Sequence, residues 1–133
     1  MAAEENIFPS NLDLKIISLN ISGLREKTAF VKHLIFKHKP HILCLQETNI
    51  RDDYNRNKIY DKLGLDFDNS FFNYPNTKSN GTAIFCLSSD IKCNNVHLSD
   101  NGRVVVLDLC KNTYQFTIVN VYAPTNPTER PHF

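Results

Sequence analysis

Apolar residues recur along this chain in two periods, and the alternation between them outlines its elements. After a polar lead-in over 1–12 that carries Pro9 and reads as loose, the run Leu14 to Asn20 is rich in branched apolar side chains and stops at Ser22-Gly23, the pattern of a buried strand and a turn. Phe30, Val31, Leu34 and Ile35 then fall at helical spacing within 26–39, and Pro40 forbids continuation. His41 to Gln46 is a second short apolar run. A charged stretch predicts a short helix over 54–63, ended by Gly64; Phe71, Phe72 and Tyr74 predict a short strand before the polar loop 76–81. Further strands are expected over 82–87, 103–109 and 115–122, with Asn101-Gly102 at one turn and a hairpin loop over 111–114 that makes the last two antiparallel. Ala123-Pro124 breaks the last strand, and Pro127 and Pro131 prevent an immediate helix.

Strand, helix and strand at this spacing form a parallel unit with a crossover. The lengths agree, because a helix of about 14 residues rises about 21 Å while a strand of six or seven spans about 20–23 Å. Both strands therefore finish at the same edge, with Asn20 and Glu47 as neighbours there, where α/β sheets bind ligands. The later strands are expected to extend this pair within one sheet.

Composition adds bounds. With 133 residues, 41% hydrophobic and 22% charged, the chain is sized for one globular domain, and disorder, collagen and coiled coil are excluded. A net charge of +1 excludes a globally basic nucleic-acid coat, although Arg25, Lys27, Lys32, Lys37 and Lys39 against Glu26 give the segment from Arg25 to His41 a local +4. That patch is either a solvated helix face or a contact to phosphates. Cys44, Cys86, Cys93 and Cys110 lack metal-site spacing and read as reduced thiols, mostly of the core. His33, His38 and His41 are wrongly spaced for one metal. Because no apolar run approaches the ~18 residues of a membrane span and the acidic start lacks the order of a secretory signal, nucleus or cytoplasm is expected, with no membrane partner.

Candidate chemistry centres on Glu47. A carboxylate directly after a buried strand is held rigidly at the sheet edge, as acids that grip Mg²⁺ are, though a solvated strand-end Glu is as simple a reading. Asn20 offers a neutral oxygen and an NH₂ at the same spot, and is equally a turn residue.

Four segments in order, Asn20-Ile21-Ser22-Gly23-Leu24, Gln46-Glu47-Thr48, Gly81-Thr82-Ala83-Ile84 and Asn120-Val121-Tyr122-Ala123-Pro124, resemble the successive signatures of the endonuclease/exonuclease/phosphatase superfamily. Within it they are most similar to the endonuclease domain of non-LTR (LINE-type) retrotransposons, related to AP endonucleases. The resemblance runs from about Leu14 to Pro127. It implies an α/β (α+β) fold: the amino-terminal half of a four-layer αββα sandwich, with a mixed sheet that begins β-α-β, over 13–133. It also implies site roles. Glu47 ligates Mg²⁺ (or Mn²⁺), Asn20 supports the metal and the scissile phosphate, Tyr122 approaches the phosphate, and Gln46 stands behind them. Thr125 departs from the Asn frequent in relatives.

Two further signatures of such relatives, a Gly-Asp-Phe-Asn-like segment that activates water and a Ser-Asp-His whose His stabilises the phosphate, do not occur in these 133 residues. Asp66-Phe67-Asp68-Asn69, Ser89-Asp90 and Ser99-Asp100 imitate them only superficially. The expectation is a carboxyl-terminally truncated DNA endonuclease domain, inactive alone and weak in metal binding. One face of its sheet lies bare and favours self-association. The alternatives are a non-enzymatic remnant acting as a binding module, or another phosphodiesterase or phosphatase of the superfamily.

Overall fold

The computed structural model describes residues 13–74 and 80–123. Strand β1 (Ile16–Asn20) leads into helix α1 (Thr28–His38), β2 (Ile42–Gln46), helix α2 (Asp53–Leu63), a 3-10 turn at Phe67–Asn69 and β3 (Ser70–Asn73). Then come β4 (Thr82–Cys86), β5 (Ile91–Leu98), β6 (Val104–Lys111) and β7 (Tyr114–Val121). The parallel pairing of β1 with β2 is as expected, Asn20 standing opposite Gln46. β6 and β7 are the expected antiparallel hairpin, but Lys111 pairs with Tyr114, so the turn tightens to Asn112 and Thr113, with Asn112 in the left-handed region at φ 57°.

Both helices have local reasons to stop. Lys39 closes α1 in a left-handed conformation just before Pro40, and its N–H bonds to the Ile35 carbonyl. α2 opens on Asp52, whose carboxylate accepts from Asn55 N at 2.8 Å, and ends at Gly64 with φ 65°.

The strands do not lie in one sheet. β1-β2-β4-β3 form a mixed first sheet and β5-β6-β7 an antiparallel second one, which corrects the single-sheet expectation; β5 carries no expected strand at all. The correction extends to the bare face. Leu43, Leu45, Ala83 and Phe85 turn one face of the first sheet to Val31 of α1 and Ile59 of α2, while Ile42, Cys44, Ile84 and Cys86 turn the other to Val105, Leu107 and Leu109 of the second sheet. The physical reason is visible in β2 and β4: each is apolar almost without alternation, so both faces must leave water. Each fully buried Leu, Ile or Val among them contributes roughly 1.5–3 kcal/mol.

The described residues thus form three layers, helices, first sheet and second sheet. All four cysteines are free thiols, and burial pushes Cys44 up to about 11 and Cys86 to about 12. No helix among the described residues is long and apolar enough to cross a membrane.

Candidate active site

The carboxyl ends of β1 and β2 keep exchanging hydrogen bonds after both strands have ended. Ile21 N donates to Gln46 O (2.9 Å), Gly23 N to Glu47 O (2.8 Å) and Leu24 N to Thr48 O (2.9 Å). On the other flank, Asn49 N donates to Asn80 O (2.7 Å) and Thr48 N to Gly81 O (3.3 Å), so the Glu47 loop is tied on both sides. The backbone bends sharply to allow this. Ser22, Glu47 and Asn49 all hold left-handed φ values of 49–57°, beside Gly23 at 98°. Such conformations cost of order 1–3 kcal/mol each and persist only where surroundings enforce them.

Into this edge project the expected residues. Asn20 Nδ2 donates to Glu47 Oε2 at 2.8 Å, while Asn20 Oδ1 accepts from Ser22 N at 3.1 Å. Asn20 therefore aims the carboxylate, and its oxygen is already engaged by the turn it closes. Tyr122 N donates to Arg103 O (2.8 Å), continuing the β6–β7 ladder by one rung. Its hydroxyl lies beside the Glu47 carboxylate and Asn80. Burial first, then the charge and hydrogen bond of Glu47, raise this phenol above its ordinary value of 10.0; Asn80 and Arg103 act in the opposite direction. Asn20, Glu47 and Tyr122 are thus brought together, from two different sheets.

Gln46 lies behind them. Its Nε2 donates to Ser18 Oγ (3.0 Å) and to Asn120 Oδ1 (2.7 Å). Asn80 and Arg103 belong to none of the four matched segments, and Asn120 opens the last of them without a role of its own. Asn120 alone left a signal: Phe116, Ile118 and Asn120 share the inward period-two face of β7, so a carboxamide there is a buried polar group that needs partners.

The basic patch divides. Lys27 Nζ is bound to Ile21 O (2.7 Å) and Ser22 O (3.1 Å), so it holds the β1 turn. Arg25, beside Glu26, Asn49, Arg51, Asp52 and Asn55, lines an open polar depression of about 410 Å³ next to the Glu47 loop. Lys32 and Lys37 are exposed on α1, and Lys39 is exposed just beyond it.

The look-alike segments stand elsewhere or serve turns. β3 runs antiparallel to β4, and β4 to β2, so Asp66 to Asn69 precede β3 at the edge opposite Glu47; there Asp66 caps the turn by accepting from Asp68 N (3.1 Å). Asp90, between β4 and β5, lies at that far edge too, paired with Lys111 Nζ at 3.2 Å. Ser99 is near the site edge but accepts from Val104 N (3.0 Å) as a turn residue. His41 Nδ1 accepts from Lys15 N. Tyr122 and Ala123 are described; Pro124 and Thr125 lie outside the described residues.

As a cation site this edge offers, among the described residues, the Glu47 carboxylate. No cluster of three or more His, Cys, Asp or Glu exists among the described residues. Glu47 fits a loosely held hard cation whose other positions go to water or a substrate phosphate, the manner in which Mg²⁺ is commonly bound.

Similar architecture occurs in solved structures. An AP endonuclease from Leishmania major matches at TM-score 0.65 and 22% identity over 86% of this chain and 43% of its own. The catalytic domain of Xenopus laevis APE2 matches at 0.63 and 21%, over 90% and 48%. A humanized D. rerio TDP2 matches at 0.64 and 13%, over 87% and 49%. The chain therefore spans less than half the length of each. At such identities the likeness establishes the fold, but the sequence carries the relationship further: the model of the Endonuclease/Exonuclease/phosphatase family matches residues 17–131, both sheets and the whole edge bearing Asn20, Glu47 and Tyr122, and the chain belongs to that family.

Proposed function

We propose that this chain carries the metal- and phosphate-binding half of a divalent-metal DNA endonuclease of the LINE-type retroelement kind, and that these 133 residues alone do not cleave DNA. The observation that carries the reading is the Glu47 carboxylate, held between the Asn20 amide and the Tyr122 hydroxyl at the junction of the two sheets. The AP endonucleases and TDP2 among the structural relatives support a phosphodiester substrate. The arginines at the adjacent depression suit a phosphate backbone.

In this reading Glu47 holds Mg²⁺ or Mn²⁺, which when bound neutralises charge on the phosphoryl oxygens. Asn20 keeps the carboxylate turned toward the cleft. The Tyr122 hydroxyl, a neutral donor at neutral pH, turns from Glu47 to a phosphoryl oxygen when the phosphate arrives. With a single carboxylate, cation affinity is on the order of millimolar. A general base for the attacking water and a His for the phosphate are not supplied by the motifs of this sequence. Groups of that kind act as a unit, so their loss removes most of the rate.

Purified 133-residue chain is expected to leave supercoiled plasmid intact in Mg²⁺. Fusion to the carboxyl-terminal half of an AP endonuclease relative is expected to produce nicking that Glu47→Ala abolishes. Nicking by the chain alone that depends on Glu47 would overturn the split-site reading. A folded fusion that never nicks would favour a binding remnant.

A further inference from the structure

The site is divided between the sheets. Asn20 and Glu47 stand on the first sheet and Tyr122 extends the last strand of the second, so the approach of Tyr122 to Glu47 crosses the interface between them. Its geometry depends on how one sheet is seated on the other. Apolar packing is non-directional and leaves lateral seating loosely specified. Over most of the interface the described residues pack in this way, Ile42, Cys44, Ile84 and Cys86 against Val105, Leu107 and Leu109.

Toward the site edge the interface changes character. Asn120, 3% exposed, donates through Nδ2 to Leu45 O (3.0 Å) and Ala83 O (2.8 Å), and its Oδ1 accepts from Gln46 Nε2 (2.7 Å). Two carbonyls facing one end of the carboxamide leave no choice about which end is the NH₂. Asn73 Nδ2, on β3, reaches Ser99 O (2.9 Å) and Val104 O (3.0 Å), and Thr82 Oγ1, on β4, bonds to Gly102 O (3.1 Å). Polar groups so far from water are costly unless paired, and each pairing has a direction. The two central members flank the site in sequence, Gln46 one residue before Glu47 and Asn120 two before Tyr122.

We infer that Asn120 is a positioning residue: its carboxamide pins β7 to β2 and β4 so that the Tyr122 hydroxyl reaches Glu47. The inference rests on the reading of Glu47 and Tyr122 as the site, but its test requires neither metal nor cleavage. In the full, isotopically labelled chain, the proton-proton NOE between the Tyr122 ring and the Glu47 side chain reports the contact across the sheets. The NOE between the Asn20 amide and Glu47 reports a contact within the first sheet.

In Asn120→Leu, folded by its dispersed amide spectrum, the first NOE is expected to be lost and the second kept. Gln46→Met removes the other end of the same bond from a less buried position, is expected to weaken the first NOE selectively, and decides the matter if Asn120→Leu does not fold. A purely structural role would lower the melting temperature and leave both NOEs. Both unchanged in a folded variant, or the Tyr122–Glu47 NOE missing from the unmutated chain, would overturn the inference. A fusion that fails to nick while the NOE pattern holds would overturn the functional reading alone.

Discussion

At the residue scale, Glu47 combines three roles that one substitution can separate: a left-handed backbone, an acceptor for Asn20, and a negative charge beside Tyr122. Glu47→Gln keeps the first two and removes the third. The fold is therefore expected to change in stability by less than about 1 kcal/mol, whereas the paramagnetic signal of bound Mn²⁺ measured by spin resonance should revert to that of the free ion. The same variant has a pH signature. Carboxylate charge raises the Tyr122 phenol, so its removal must lower that titration, while burial, the largest cause, still acts to raise it. Carbon-13 NMR of the tyrosine ring, assigned with Tyr122→Phe, would read this; an unmoved titration would mean that Glu47 does not face the phenol.

At the element scale, the lead-in to β4 governs the shape of the site loop. Gly81 has φ 81°, and a Cβ there would lie 2.8 Å from Thr48 Oγ1 and 3.1 Å from Asn73 O. Thr48 is fully buried and bonds through its N–H to Gly81 O, leaving it little room to yield. Gly81→Ala combines an unfavourable φ with this clash, so it is expected to cost more than about 1 kcal/mol. The measurement is thermal unfolding by circular dichroism, with a drop of several degrees expected. A melting temperature within error of the unmutated chain would show that the loop adapts.

For the whole molecule, the surface that the described residues leave uncovered matters. β1 and β7 are edge strands. On the outward face of β7, Val119 and Val121 are 55% and 43% exposed, opposite Val106 and Val104 in the ladder, and Ile16 of β1 is 43% exposed. Open edges beside apolar surface favour pairing with further chains. Sedimentation of the 133-residue chain is expected to show mass rising with concentration, and Val119→Lys with Val121→Lys together to suppress the rise. A monomer at all concentrations would mean that these faces are innocuous.

The helices, the parallel start and the meeting of Asn20 with Glu47 were legible in sequence because each depends on local signals: Pro40, Gly64, helical spacing, and a crossover of the right length. Tyr122 was reachable only through resemblance, since the residues from Glu47 to Tyr122 give no local account of why the two meet. Partition into two sheets was decided by tertiary structure. Period-two alternation says which side chains of a strand share a face, but the same pattern fits any sheet that offers a complementary face, and β5, with Lys92, Asn94, Asn95 and His97, has too little of it to be seen. Asn120 shows the division best: its sequence shows a polar residue on an inward face, while its partners, the carbonyls of Leu45 and Ala83, are backbone groups whose placement no side-chain pattern records. Sequence determined the elements and the chemical groups through local sterics and periodicity; the seating of one sheet on the other, and with it the contact between Tyr122 and Glu47, was decided by hydrogen bonds between segments some 75 positions apart.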